Sequence, residues 1–364
     1  MKIVVAMDSF KGCLTSQEAG QAVARGVRKA LPDACVTVLT VSDGGDGMLD
    51  AFTCATGATV VEIEACDPFM RPIMAQYAIT PDGDTALIEM ARASGLTLLA
   101  PYERDPLRAT SHGTGILIAD ALRRGCRHLI VGLGGSATSD AGMGMLRALG
   151  LEIGEECIDT SHFLLNSYPE ATITIAGDVD NPLCGPRGAA SVYGPQKGAT
   201  PLMVQELDRR AAHFAALTAR HTGRDLSTTP GAGAAGGLGF ALMAYCRATM
   251  RSGIELLLDL LHFDTLVADA QLVITGEGAA DKQTLMGKAP TGIMRRAAKH
   301  GVPTALLAGR VSDRDTLLEA GFAAVSCIHN IADDTSEDPL SPSVATRHLT
   351  DTAQATIMSG VWRD

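Results

Sequence analysis

Positive charge is in deficit in this sequence: 30 Lys and Arg stand against 41 Asp and Glu, a formal net charge of -11 over 364 residues. Nucleic acid and anionic membrane surfaces usually need a basic face, so neither is expected as a partner. An anionic small molecule must then be held locally, by backbone amides and a few placed cations. Long apolar runs are also missing. The opening MKIVVAMDSFKG has an apolar stretch of only about five residues, too short for a signal peptide or a membrane span. The nine cysteines are odd in number and form no C-x-x-C pair. That speaks against a disulfide framework or a zinc site and for reduced, buried thiols in a cytoplasmic enzyme. No histidine pair has H-E-x-x-H spacing, and His112 in TSHGTG reads as structural. A Walker A box is absent, because Lys288 is followed by Ala289 rather than Ser or Thr. GAGAAG at 231–236 satisfies G-x-G-x-x-G, yet DLSTTP precedes it where a strand should stand, so it makes a poor dinucleotide turn.

What the chain does have is glycine, 39 residues of it, and short apolar runs: KIVVAM, VTVLTV, TALIEM, HLIVGL, TITIAG, LVITGE, TALLAG and AAVSCI. Continuous apolar runs of strand length, alternating with helical patterns, indicate parallel strands covered on both faces, the α/β class. Strands at 3–8, 35–41, 271–276, 303–308 and 322–328 are expected to form one flavodoxin-like parallel five-stranded domain. That domain is discontinuous, 1–62 plus 265–364, with a second α/β domain inserted at 63–264 and an active site in the cleft between the two. The spacing predicts a helix from Ser16, as cap, to Leu31, with Glu18 in its first turn and Ala19, Ala22, Val23 and Val27 on one face. The polar, breaker-rich segment 330–343 is expected as a surface loop.

In an open parallel sheet, ligands bind beyond the carboxyl ends of the strands, so the junctions there carry the functional signal. DSFKG follows the first strand, SDGGDG the second and GEGAAD the third of the outer domain. If the order is as expected, Asp8, Asp43 and Glu277 share one rim. The plainer reading, that each aspartate caps the next helix, stays open for each singly. GLGGSATSDAGMG at 132–144 offers Gly134 and Gly135, the hydroxyls of Ser136 and Thr138, and an amide-rich helix start, a pattern suited to phosphate or nucleotide. GDVDNPLCG places Asp178 and Asp180 after another strand, and magnesium wants one or two such carboxylates plus phosphate oxygens. YGPQKGAT and GKAP place Lys197 and Lys288 in turns where they can neutralise phosphate, although an isolated lysine is more often solvent-exposed.

Taken together, DSFKG, SDGGDG, HGTG, GLGGSATSDAG, DVDNPLCGPRGA, YGPQKGAT, PGAGAAGGLG and GEGAADKQTLMGKAP resemble the bacterial glycerate kinase family, type 1. The blocks appear in the family's order and span nearly the whole chain. The resemblance departs at Met7, where the family has Pro, at His112 of HGTG, where it has Tyr, at Ala141, where it has Gly, and at Ala279, where it usually has Arg. It implies ATP-dependent phosphorylation of D-glycerate, with 2-phosphoglycerate the usual product, on a flavodoxin-like domain split by an insertion.

Phosphoryl transfer asks for alignment and charge neutralisation more than covalent chemistry. On that expectation Asp43 accepts the proton of the glycerate hydroxyl, with Asp281 in reserve. Lys11, Ser9 and Arg71, with Asp8 beside them, bind the small carboxylate. Asp178 holds Mg2+ between the phosphates of ATP. Gly134, Gly135, Ser136 and Thr138 cradle phosphate, and Lys197 and Lys288 add positive charge. Two rivals stand beside this reading: a nicotinamide-dependent oxidoreductase on a small hydroxy acid, suggested by GAGAAG, and a non-catalytic ligand-binding homologue, suggested by Ala279 and Ala141. Either a monomer or a homo-oligomer is compatible with the sequence.

Overall fold

The apolar runs at the two ends of the chain become one parallel sheet. In the computed structural model, which describes residues 1–10, 12–42, 47–329 and 338–360, its strands run in the order Ala324–Cys327, Thr304–Val311, Leu272–Ala280, Lys2–Met7, Cys35–Thr40. All four pairings are parallel. Numbered within this sheet alone, the order is 2-1-3-4-5, the flavodoxin-like arrangement expected. Ile3 through Met7 are fully buried, as expected of a central strand covered on both faces. Ile3, Val5, Ala305 and Leu307 pack with Val23, Val27, Leu349 and Ala353 of the helices Ser16–Ala30 and Pro342–Ser359. Leu306, Ala308 and Val325 pack with Met294, Leu317 and Phe322 on the other face. Two covered faces explain why the strands read as unbroken apolar runs rather than alternating ones.

The first helix starts one residue earlier than its expected cap. Thr15, not Ser16, is the N-cap, and it forms a capping box with Glu18. Ser16 is engaged elsewhere: its hydroxyl donates to the Met7 carbonyl at 2.6 Å and accepts from the Val41 amide at 3.0 Å, stitching two strand ends together. This helix lies against the C-terminal one so closely that a Cβ on Gly26 would stand 2.1 Å from the Thr350 carbonyl oxygen. Of the segment 330–343, residues 330–337 lie outside the described residues, and the C-terminal helix already begins at Pro342.

A second sheet has six strands, in the order Thr249–Arg251, Thr172–Ala176, His128–Gly132, Thr85–Glu89, Pro72–Ile79, Thr59–Cys66. The first three pairings are parallel and the last two antiparallel. The chain divides into Met1–Asp43 with Ile254–Asp364 and, separately, Gly44–Gly253; boundaries near 62 and 265 were expected. Thr59–Cys66 pairs along its whole length with Pro72–Ile79, and the Leu49 amide at the start of helix Met48–Thr56 donates to the Glu89 carboxylate at 2.9 Å. Both ties hold residues 48–66 to the second sheet. At the other boundary Glu255 and Asp259 pair with Arg296 at 2.8 and 2.5 Å, tying helix Gly253–Leu260 to helix Ala289–Ala298.

All nine cysteines are free, but only Cys66, Cys126 and Cys246 are buried, while Cys35, Cys54 and Cys157 are exposed. Burial had been expected of the thiols generally; several fall on exposed strand ends and helix surfaces. Among the described residues no helix is long and apolar enough to cross a membrane.

Candidate active site

In the Met1–Asp43 and Ile254–Asp364 unit, strand order reverses between Lys2–Met7 and Leu272–Ala280, and the residues following that point are acidic. Met7 registers with Gly276, so Asp8 and Glu277 sit side by side at the strand ends, each less than a tenth exposed. The Asp8 amide donates to the Gly276 carbonyl at 2.8 Å, and its carboxylate accepts from the Ser9 amide at 2.7 Å. Gly276 is required here because a Cβ would stand 2.0 Å from the Leu307 carbonyl oxygen. Glu277 accepts from the Thr284 hydroxyl at 2.6 Å and from Lys288 Nζ at 3.0 Å. Burial pushes its pKa up, opposed by the Thr284 hydroxyl and the Lys288 ammonium.

Two of the expected site residues are thus already engaged. Lys288 is ion-paired with a buried carboxylate at the cap of helix Ala289–Ala298. Asp281 caps the short helix Lys282–Met286, accepting from the Gln283 amide at 2.7 Å. Lys11 and Asp43 lie outside the described residues. Ala279, where the resemblance leads one to expect arginine, registers with Arg310 on the neighbouring strand, so a guanidinium stands one strand away.

In the Gly44–Gly253 unit the loop after His128–Gly132 is fixed from beneath. Gly135 has φ +71°, its carbonyl accepts from the Leu96 amide at 2.8 Å, and the Ala137 amide donates to Ser94 at 2.9 Å. Lys197, expected as a partner of phosphate in an open turn, is 2% exposed. Its Nζ donates to Ser136 Oγ at 2.7 Å and to the Thr138 carbonyl at 2.6 Å. Desolvation pushes the ammonium down to about 7, with the Asp140 carboxylate opposing the shift. Thr138 is fully buried and its Oγ1 has no hydrogen-bond partner, an arrangement that costs free energy unless something supplies the bond.

Asp140 was absent from the expected site residues, yet it organises this loop. Its carboxylate accepts from the Ser111 amide and hydroxyl at 2.8 and 2.9 Å and from the Gly142 and Gly144 amides at 3.1 Å. It thereby pins the start of helix His112–Arg123 to the turn entering helix Met143–Ala148. The GAGAAG segment has no strand before it; it leads into a buried turn in which Ala235, Gly236 and the following Gly237 all have positive φ. The Gly236 carbonyl accepts from the Ala141 amide at 2.9 Å, and a Cβ on Gly236 would stand 2.0 Å from the Thr138 carbonyl oxygen. Its glycines therefore serve close packing against the 138–141 turn, which leaves a dinucleotide role without structural support.

Arg71 has less to offer a substrate than its position in DPFMRP suggests. Its Nε lies 2.5 Å from Asp67 and its Nη1 2.9 Å from Glu103, and those two carboxylates hold its pKa up. Asp67 is the buried partner, with 3% of its side chain exposed, and it also accepts the Phe69 and Arg71 amides at 2.8 and 2.9 Å. Asp178 is exposed just beyond strand Thr172–Ala176, and Asp180 pairs with Arg187 at 3.4 Å. Among the described residues no group of three or more His, Cys, Asp or Glu is arranged to hold a metal ion. A magnesium site built on one protein carboxylate and phosphate oxygens does not need such a group.

Sequence and structure comparisons converge. The model of the glycerate kinase family matches residues 3–359. The chain is 42% identical over 345 residues to glycerate kinase of Bacillus subtilis (strain 168), covering 90% of each chain. It is 42% identical over 329 residues to glycerate 2-kinase of Escherichia coli (strain K12), covering 86% of each. A crystal structure assigned as glycerate kinase 2 from Salmonella typhimurium LT2 superposes with a TM-score of 0.85 at 41% identity over 99% of both chains. An ordered match of this length, with the flavodoxin-like sheet and the second sheet both in place, is not a shared-fold coincidence. The chain belongs to the glycerate kinase family and is an enzyme of the kinase class.

Proposed function

We propose that the protein transfers the terminal phosphoryl group of ATP to D-glycerate, giving 2-phosphoglycerate. The observation that carries this reading is the end-to-end likeness to proteins named glycerate kinase and glycerate 2-kinase. The geometry of the loops is compatible with it. The loop Gly134, Gly135, Ser136 and Thr138 is rigidified by Lys197, which supports its amides as donors to phosphate oxygens. Asp8 and Ser9 at the switch point, with Lys11, take the glycerate carboxylate and hydroxyls. Arg71 keeps its bonds to Asp67 and Glu103 and contributes Nη2 at most.

Asp43 accepts the proton of the attacking hydroxyl. Asp281, whose carboxylate is committed as a helix cap, serves the fold instead. Lys288, paired with Glu277, supports a charge-balanced rim rather than a free cation. Asp178, exposed beyond a strand end, is the carboxylate that would hold Mg2+, which neutralises phosphate charge when bound. The soluble small-molecule chemistry fits a cytoplasmic enzyme with no macromolecular substrate.

A coupled ADP-release assay with D-glycerate, followed by phosphorus NMR of the product, tests the reading. Release that depends on glycerate, with the 2-phosphate resonance, is the expected result. ADP release no faster with glycerate than without it, or a change in nicotinamide absorbance in its place, would overturn it. Asp43→Asn is expected to lower kcat by about 10²-fold or more, as for a general base; turnover within about threefold of the parent removes Asp43 from that role.

A further inference from the structure

A chain with eleven more carboxylates than cations nonetheless gathers three arginines around one cavity of about 190 Å³ in the Gly44–Gly253 unit. Arg108 comes from the segment preceding helix His112–Arg123, Arg147 from helix Met143–Ala148 and Arg210 from helix Pro201–Thr222. Among the described residues the only carboxylate in the wall is Asp140, and its oxygens are already occupied by the Ser111, Gly142 and Gly144 donors. Arg108 lies over the Phe69 ring at 5.1 Å and, like Arg147, has no carboxylate partner among the described residues. Arg210 must share Glu206 with Arg209. All three arginines are exposed, so water screens their mutual repulsion, and their excess positive charge around the cavity attracts an anion.

Ser139 also lines this cavity, but its Oγ is buried away from solvent, so the arginines are the groups that can meet a ligand. Guanidinium forks match the tetrahedral oxygens of phosphate. The cavity shares Met143, Arg147 and Arg210 with an adjoining hollow of about 330 Å³ that reaches Phe214 and Leu217, room for an organic group carried on the phosphate.

We propose that this cavity is a binding site for a phosphate dianion, either free or as the head of a small phosphate monoester, held by Arg108, Arg147 and Arg210. Its wall includes Ser139, Asp140 and Ala141, the residues directly after Thr138, so an occupant bears on the loop assigned above to nucleotide phosphate. The site itself stands whether or not glycerate is the acceptor.

Calorimetric titration with inorganic phosphate, at fixed ionic strength and without nucleotide or glycerate, tests it. Saturable binding at one site per chain is expected. Arg147→Met and Arg108→Met are each expected to weaken it about tenfold or more, the scale of a charge-assisted bond. Lys29→Met, which removes an exposed cation paired with Asp351, is expected to leave it unchanged. Phenyl phosphate binding more tightly than inorganic phosphate identifies a monoester reaching the adjoining hollow; equal or weaker binding identifies the free anion. No saturable binding, or equal affinity in the parent and both arginine variants, overturns the proposal. Because the readout is heat of phosphate binding, loss of this site and loss of the kinase reading are separately visible.

Discussion

Replacing Lys197 by methionine converts a buried titrating group into a neutral one of similar length, and the structure fixes how stability must then depend on pH. In the fold the ammonium is pushed down to about 7 from the ordinary 10.5. Below pH 7 both folded and unfolded chains hold the proton, and the full penalty of burying it is present. Between pH 7 and 10.5 the unfolded chain binds a proton that the folded chain has released, so stability rises with pH across that window. Integrated from pH 7 to pH 9, the gain is about 2 kcal/mol in favour of the parent over Lys197→Met. The variant also leaves Ser136 Oγ and the Thr138 carbonyl without their Nζ donor, at a cost of about 1–3 kcal/mol each. That offset does not vary with pH, so the slope isolates the titration. Urea denaturation of both proteins at pH 7, 8 and 9 supplies the measurement. A parent-minus-variant difference flat to within about 0.5 kcal/mol over that range would refute the reasoning, because it would mean that Lys197 stays charged in the fold.

Asp140→Asn places an amide nitrogen among the Ser111, Gly142 and Gly144 donors and is expected to cost about 1–3 kcal/mol in denaturant unfolding. Gly236→Ala introduces a Cβ 2.0 Å from the Thr138 carbonyl at φ +67° and should cost about 2 kcal/mol or more. Gly177→Ala, where nothing lies within 4 Å, is the thermal-denaturation control and should be near neutral. Thr138→Val removes a buried hydroxyl that has no partner in the fold; stability should hold within about 1 kcal/mol. A large loss of stability instead would show that Oγ1 is bonded within the protein.

The parallel strands were legible because residues buried on both faces leave no polar alternation, as in Ile3 through Met7. The Thr59–Cys66 and Pro72–Ile79 hairpin was not. Thr59–Cys66 has a largely exposed, edge-strand burial pattern, with Glu62 and Glu64 interrupting its apolar residues, and its turn uses Met70 at φ +63° rather than a glycine that would have announced it. Glycine-rich junctions were legible as loops, since only small residues permit the close approaches seen at Gly236 and Gly276. What those loops rest on was hidden. Lys197 looks like any lysine in a turn, and its burial depends on Ser136 and Thr138, some sixty residues earlier. Asp140 gathers Ser111 from 29 residues away, and no local spacing encodes such a partnership. The engagement of Arg71 was hidden for the same reason, since Glu103 is distant in the chain.

The seam where the first and last helices meet at Gly26 and Thr350 also bears on how the molecule is made. The central strand Lys2–Met7 needs Leu272–Ala280 as its neighbour on one side, and its covering layer ends with residues near 357. At roughly 5–20 residues per second of synthesis, strand Lys2–Met7 waits for roughly 18–70 s before that layer exists. The 44–253 portion has left the ribosome by then and can close on itself first. During synthesis Lys2–Met7 is therefore an apolar strand in want of a partner, and a holdase that shields it during translation would be expected to raise the yield of native enzyme more than one supplied after release.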